Sequence, residues 1–98
     1  MITQMEQQPA GSVEAAQLIA RGREFEKAHN PAMAVQAYEQ AFEKWSSNAK
    51  LANRISAIYL VELRQNAKAL QYAKSALAIN KKDRVAALLY AFCQWKCI

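Results

Sequence analysis

Ala34-Val35-Gln36-Ala37-Tyr38-Glu39-Gln40-Ala41-Phe42 returns 35 residues later as Ala69-Leu70-Gln71-Tyr72-Ala73-Lys74-Ser75-Ala76-Leu77. Apolar and small residues recur at the same spacings of three and four in both stretches, which places them on one face of a helix. A chain of 98 residues that repeats itself at this interval is read as an array. Periods of about 20–50 residues mark units that bury their apolar faces against their neighbours. Such arrays present surfaces rather than run reactions.

Working outward, the same periodicity predicts five helices, and cap residues fix their limits. Residues 1–11 are polar and aperiodic and are expected to form a flexible tail. Ser12 is the expected N-cap of a first helix over 13–28, with Leu18, Gly22 and Phe25 on its inner face beside Ala15 and Ile19. Asn30 caps and Pro31 opens a second helix to Trp45, because proline's missing N–H costs nothing at the first helical position. A third covers 49–64, with Ala52, Ile55, Tyr59 and Leu63 inward. A fourth over 67–79 takes Asn66 as its cap and Asn80, in the left-handed conformation, as its close. Asp83 caps a fifth over 84–97. Connections of two to five residues make successive helices antiparallel neighbours.

Composition agrees with this reading. Hydrophobic residues make up 53% and charged residues 21%, a globular balance. Two glycines and two prolines leave little material for β-turns. No run of about 18 apolar residues exists, so no membrane span is expected. The N-terminus lacks a basic and then apolar leader, which makes the cytoplasm the expected location. From Leu63 onward, seven basic residues face Asp83 alone, a net +6. Such an asymmetry steers acidic partners, or simply solvates a helical face.

Chemistry-bearing constellations are absent from the sequence. His29 sits at a helix break with no nucleophile near it, and Glu39 and Glu43 form an exposed i, i+4 pair. There is no glycine-rich phosphate loop and no nucleophile elbow. Cys93 and Cys97 lie four apart on one helical face, a poor geometry for a disulfide with each other. Two cysteines and a distant histidine fall short of a zinc site. Neither an enzyme, a metal site nor a cofactor is expected.

The order helix, turn, helix, twice over, then a further helix, resembles the tetratricopeptide repeat family, whose unit is about 34 residues. Gly22 and Ser56 match the small position of its first helix, Phe25 and Tyr59 the aromatic position, and Ala34 with Ala69 and Ala41 with Ala76 the small positions of its second. The match is degenerate: Leu18 and Ala52 replace the family's tryptophan, and one extra residue lies between Tyr59 and Ala69. The resemblance implies an all-α superhelix of antiparallel helix–turn–helix repeats. The repeat domain then covers 12–98, with units at about 15–48 and 49–83 and a terminal helix over 84–97.

The family's concave groove is lined by the first helix of each unit. By position this implies a partner-binding groove of Arg23, Lys27, Asn53, Arg54, Ala57 and Leu60, with Ile19, Glu26, Lys50 and Val61 alongside. One subclass grips the C-terminal carboxylates of chaperones with Lys, Asn and Arg on these helices. The corresponding positions here are Ile19, Arg23, Arg54, Val85 and Leu89, and only the arginines fit, which excludes that specific function. The fifth helix is apolar nearly all round, and Leu88, Phe92 and Trp95 follow the i, i+4, i+7 spacing of a docking interface. A further helix of a longer array, a second copy of the chain giving a homodimer, or an amphipathic helix of a partner would each cover it. The implied function is a protein–protein interaction module for a peptide or helix in an assembly, secretion or chaperone-type complex. The alternatives are homo-oligomerisation through the terminal helix and nucleic-acid binding. Lys68 and Lys74 speak against the latter, since they lie on the helix outside the family's groove.

Overall fold

The computed structural model describes residues 13–96, which are entirely helical apart from short connections. The helices are α1 (Val13–Lys27), α2 (Pro31–Lys44), α3 (Ala49–Ala57, prolonged by a π-helical turn over Ile58–Glu62), α4 (Asn66–Ile79) and α5 (Arg84–Lys96). The expected tail at 1–11, the Ser12 cap and Cys97 lie outside the described residues. The chain divides into two compact units at Ser47, the first holding α1 and α2, the second α3, α4 and α5.

In the first unit α1 and α2 form an antiparallel hairpin. Glu14 at the start of α1 pairs with Lys44 at the end of α2 (3.3 Å), while Glu26 near the end of α1 accepts a 2.7 Å hydrogen bond from the Tyr38 hydroxyl. Ala15 and Gly22 from α1 and Ala34, Val35, Ala37, Tyr38 and Ala41 from α2 are buried. Gly22 is there because the Tyr38 ring occupies its space. A Cβ built on Gly22 would stand 2.5 Å from Tyr38 Cε1 and 2.7 Å from Cδ1.

The second unit solves the same packing differently. Ser56, at the position matching Gly22, is fully buried and donates to the Ala69 carbonyl at 2.7 Å. The residue matching Tyr38 is Ala73, also fully buried. The aromatic volume moves to Tyr59 and Tyr72, whose rings stack with centroids 6.1 Å apart. A small residue with a large one in the first hairpin becomes a larger residue with a small one in the second.

Helix ends explain where the repeat loses step. Asn30 and Asn48 cap α2 and α3, each Oδ1 accepting from the N–H three residues on, Met33 and Leu51. Asp83 caps α5 through Oδ1, which accepts from Val85 N–H (3.0 Å) and Ala86 N–H (3.3 Å). Two expectations are corrected. Asn66 is the first residue of α4, and the cap is Gln65 with no side-chain bond. Asn80 is extended (φ −139°), and its Oδ1 instead accepts from Lys82 N–H in a local turn. Among the described residues the left-handed ones are His29 (φ 59°) and Arg64 (φ 53°), in the α1–α2 and α3–α4 turns.

At the first turn Asn30 N–H reaches the Phe25 carbonyl (2.9 Å) and His29 N–H reaches that of Glu26 (3.0 Å), the two bonds of a Schellman close. At the second turn the ladder widens. Leu63 N–H reaches Ile58 O (3.0 Å), an i→i−5 bond, and Gln65 N–H reaches Tyr59 O (2.8 Å), one residue farther than its counterpart. A π-turn takes up one more residue than an α-turn. The extra residue between Tyr59 and Ala69 is stored there, so the offset between repeats passes from 34 at Phe25/Tyr59 to 35 at Ala34/Ala69 with both inner faces kept. The expected continuous α-helix to residue 64 is corrected accordingly.

Candidate functional site

α5 packs on the second unit through a narrow stripe. Ala86 and Cys93 are fully buried, and Leu89 and Tyr90 are half-buried. Its N-terminus is fastened to α3, because Asn53 Nδ2 donates to Asp83 Oδ2 at 2.9 Å. Both Asp83 oxygens are thus engaged, one by α3 and one by the α5 cap.

Apart from Arg84, Gln94 and Lys96, the rest of α5 is apolar and uncovered. Leu88 is 71% exposed, Trp95 66%, Val85 55% and Phe92 45%. Phe92 and Trp95 stack with centroids 5.8 Å apart, and Lys96 Nζ sits 5.9 Å from the Phe92 ring centre. Leu88, Phe92 and Trp95, singled out from spacing, are together on one exposed face, with Val85 extending it. A contiguous apolar patch of this kind marks an interaction surface.

The positions carried over by family resemblance fare unevenly. Arg23, Lys27 and Arg54 are exposed, and Lys27 faces Glu24 at 3.9 Å on the open surface of α1. Ala57 is half-buried. Asn53 and Leu60, expected to line the groove, are buried. Asn53 is a fastening between α3 and the start of α5, and its Oδ1 is buried with no hydrogen-bond partner. Leu60 lies inside the π-turn and belongs to the core. Arg23 and Lys27 belong to the first unit, whereas Arg54 and Ala57 belong to the second.

One feature escaped sequence reasoning. Lys74, Leu77, Ala78, Lys81 and Tyr90 line an open cleft of about 390 Å³ between α4 and α5. The signal was partly present: Lys74, Leu77 and Ala78 follow i, i+3, i+4 on α4, while Lys81 lies in the turn after that helix and reaches the cleft only through the fold. The Tyr90 hydroxyl accepts from Gln94 Nε2 at 3.2 Å.

Among the described residues, no group of three or more His, Cys, Asp or Glu residues is arranged to hold a metal ion. Cys93 is buried. No helix among the described residues is long and apolar enough to cross a membrane. Neither a protein-family model nor a curated protein matches the chain.

Proposed function

We propose that this protein is a non-catalytic protein–protein interaction module, a short tetratricopeptide-like helical repeat that holds a peptide or amphipathic helix of a partner in an assembly, secretion or chaperone-type complex. The observation that carries the reading is the uncovered face of α5, where Leu88, Phe92 and Trp95 stand exposed together on a helix anchored along its opposite side. Docking a partner removes this apolar area from water, at roughly 25 cal/mol per Å² before the costs of association. Large aromatic side chains at the centre of such a patch supply most of the binding free energy. Helical hairpins with short turns support the family reading, as do small residues where helices cross.

The test is affinity capture from lysate of the source cells with the wild-type protein and with a Leu88→Glu/Trp95→Glu variant. Both positions are exposed, so the variant keeps its helical circular dichroism. A protein retained by the wild type and lost by the variant is the expected result. Identical retained sets would refute the assignment of the face.

A further inference from the structure

The chemistry of the partner follows from the charges placed around the α5 face. Arg84 and Lys96 stand at its two ends, 12 residues or about 18 Å apart along the helix. Lys81 and Lys82 precede it in the connecting turn, and Lys74 and Lys81 line the cleft on its other flank. The one carboxylate of this region, Asp83, is fully engaged by Asn53 and by the α5 cap. Among the described residues from Lys81 to Lys96, the four cations Lys81, Lys82, Arg84 and Lys96 outweigh the single Asp83 carboxylate, so an incoming surface meets a net positive charge around the apolar run.

This arrangement argues against two copies of the chain pairing α5 on α5. Two α5 helices laid antiparallel bring Arg84 of one beside Lys96 of the other, and laid parallel they bring like beside like. Cation meets cation in both orientations, and Asp83 beside Arg84 offsets only one of the four cations from Lys81 to Lys96. Like-charge juxtaposition suppresses such pairings strongly. A lipid surface answers to net charge wherever it lies, whereas here the flanking cations of the helix itself are confined to the two ends of an apolar run one helix long.

We propose that the Val85–Leu88–Phe92–Trp95 face of α5 docks an amphipathic helix of a partner protein whose apolar stripe is flanked at both ends by Asp or Glu. These acidic residues pair with Arg84 and Lys96 while the apolar stripe covers Leu88, Phe92 and Trp95. The inference rests on the interaction-module reading above and gives it a partner chemistry.

The experiment uses the full chain with Trp45→Phe, so that Trp95 alone reports by fluorescence. Two synthetic helical peptides of about four turns share one Leu/Ala stripe, and one carries Glu at both flanks where the other carries Lys. The Glu peptide is expected to shift Trp95 emission to the blue and to bind about tenfold or more tightly than the Lys peptide, a difference that shrinks as salt rises from about 50 to about 500 mM. Arg84→Glu/Lys96→Glu is expected to reverse the preference. Glu at the first position of α5 suits the helix dipole and Glu at its exposed last residue opposes it by at most about 1 kcal/mol, so the two effects offset and circular dichroism checks that the variant is folded.

Equal binding of both peptides overturns the acidic partner and leaves the docking face standing. Failure of both peptides to move Trp95 overturns the face itself as a helix-docking site. A peptide-independent blue shift that grows with protein concentration, with a matching rise in sedimentation coefficient, overturns the proposal in favour of a second copy. A blue shift with phosphatidylserine vesicles that exceeds the shift with the Glu peptide overturns it in favour of a membrane surface.

Discussion

Replacing Gly22 with alanine should destabilise the first unit, although alanine is the better helix former by about 1 kcal/mol. The added Cβ would lie 2.5, 2.7 and 2.8 Å from three atoms of the Tyr38 ring. Carbon atoms pack best at about 3.5–4.0 Å, so the overlap is about 1 Å. The ring has little room to retreat, since Tyr38 is buried and its hydroxyl is held by Glu26 at 2.7 Å. Overpacking of this kind costs about 1–3 kcal/mol, and a lost hydrogen bond to a carboxylate adds about 1–2. After the propensity gain the net loss is about 1–4 kcal/mol. In a Tyr38→Ala background, which copies Ala73 of the second unit, the same substitution meets no ring and should stabilise by about 1 kcal/mol. Urea unfolding in a Trp95→Phe protein, with an osmolyte to support the weakened variant, reads the first unit through Trp45. The reasoning is refuted if Gly22→Ala stabilises the parent, or if it shifts both backgrounds by the same amount.

Asp83→Ala removes the α5 cap and leaves the Asn53 amide without an acceptor. It should cost the second unit about 2–3 kcal/mol in urea unfolding, with faster amide exchange at the start of α5. His29→Gly and Arg64→Gly relieve side chains held at positive φ. Each should raise stability by about 0.5–1 kcal/mol once glycine's larger unfolded-state entropy is subtracted, read as an upward shift in the urea midpoint. Deleting Glu62 should let the π-turn close as an α-turn at a cost within about 1 kcal/mol. Deleting Arg54 turns part of the buried face of α3 by about 100° and should unfold the second unit in the same circular-dichroism assay.

The helices were legible because their stabilisation is local and periodic. Asn30 with Pro31, and Asp83, announced two starts through short side chains that can reach their own backbone. The ends were less legible. Asn80 was expected in the left-handed conformation on residue type, whereas the geometry of the two hairpin turns imposes it on His29 and Arg64. The extra residue before Ala69 was visible as a change of offset, but the sequence carries no signature of the widened turn that absorbs it. At the candidate site, the exposed face of α5 was legible from an apolar run too wide for one buried stripe. Asn53 was not, because its role depends on Asp83, which lies 30 residues away in the chain and is brought to it only by tertiary packing. Position within a repeat specifies which helix a residue belongs to, not which long-range partner has already claimed it.

The inverted sizes at Gly22–Tyr38 and Ser56–Ala73 bear on how the chain finds its own partners while folding. Two units with near-identical periodicity invite exchange, in which α1 closes on α4, or α3 on α2, within one chain or between two. Such a swap would set the Ser56 side chain against the Tyr38 ring, where even a bare Cβ collides in the native hairpin. The converse swap would place Gly22 against Ala73 and leave an unfilled space the size of an aromatic ring. Only the pairings within each hairpin, α1 with α2 and α3 with α4, avoid both faults. One exchanged pair of side-chain volumes thus acts as a sorting rule that separates two similar hairpins made from one repeating pattern.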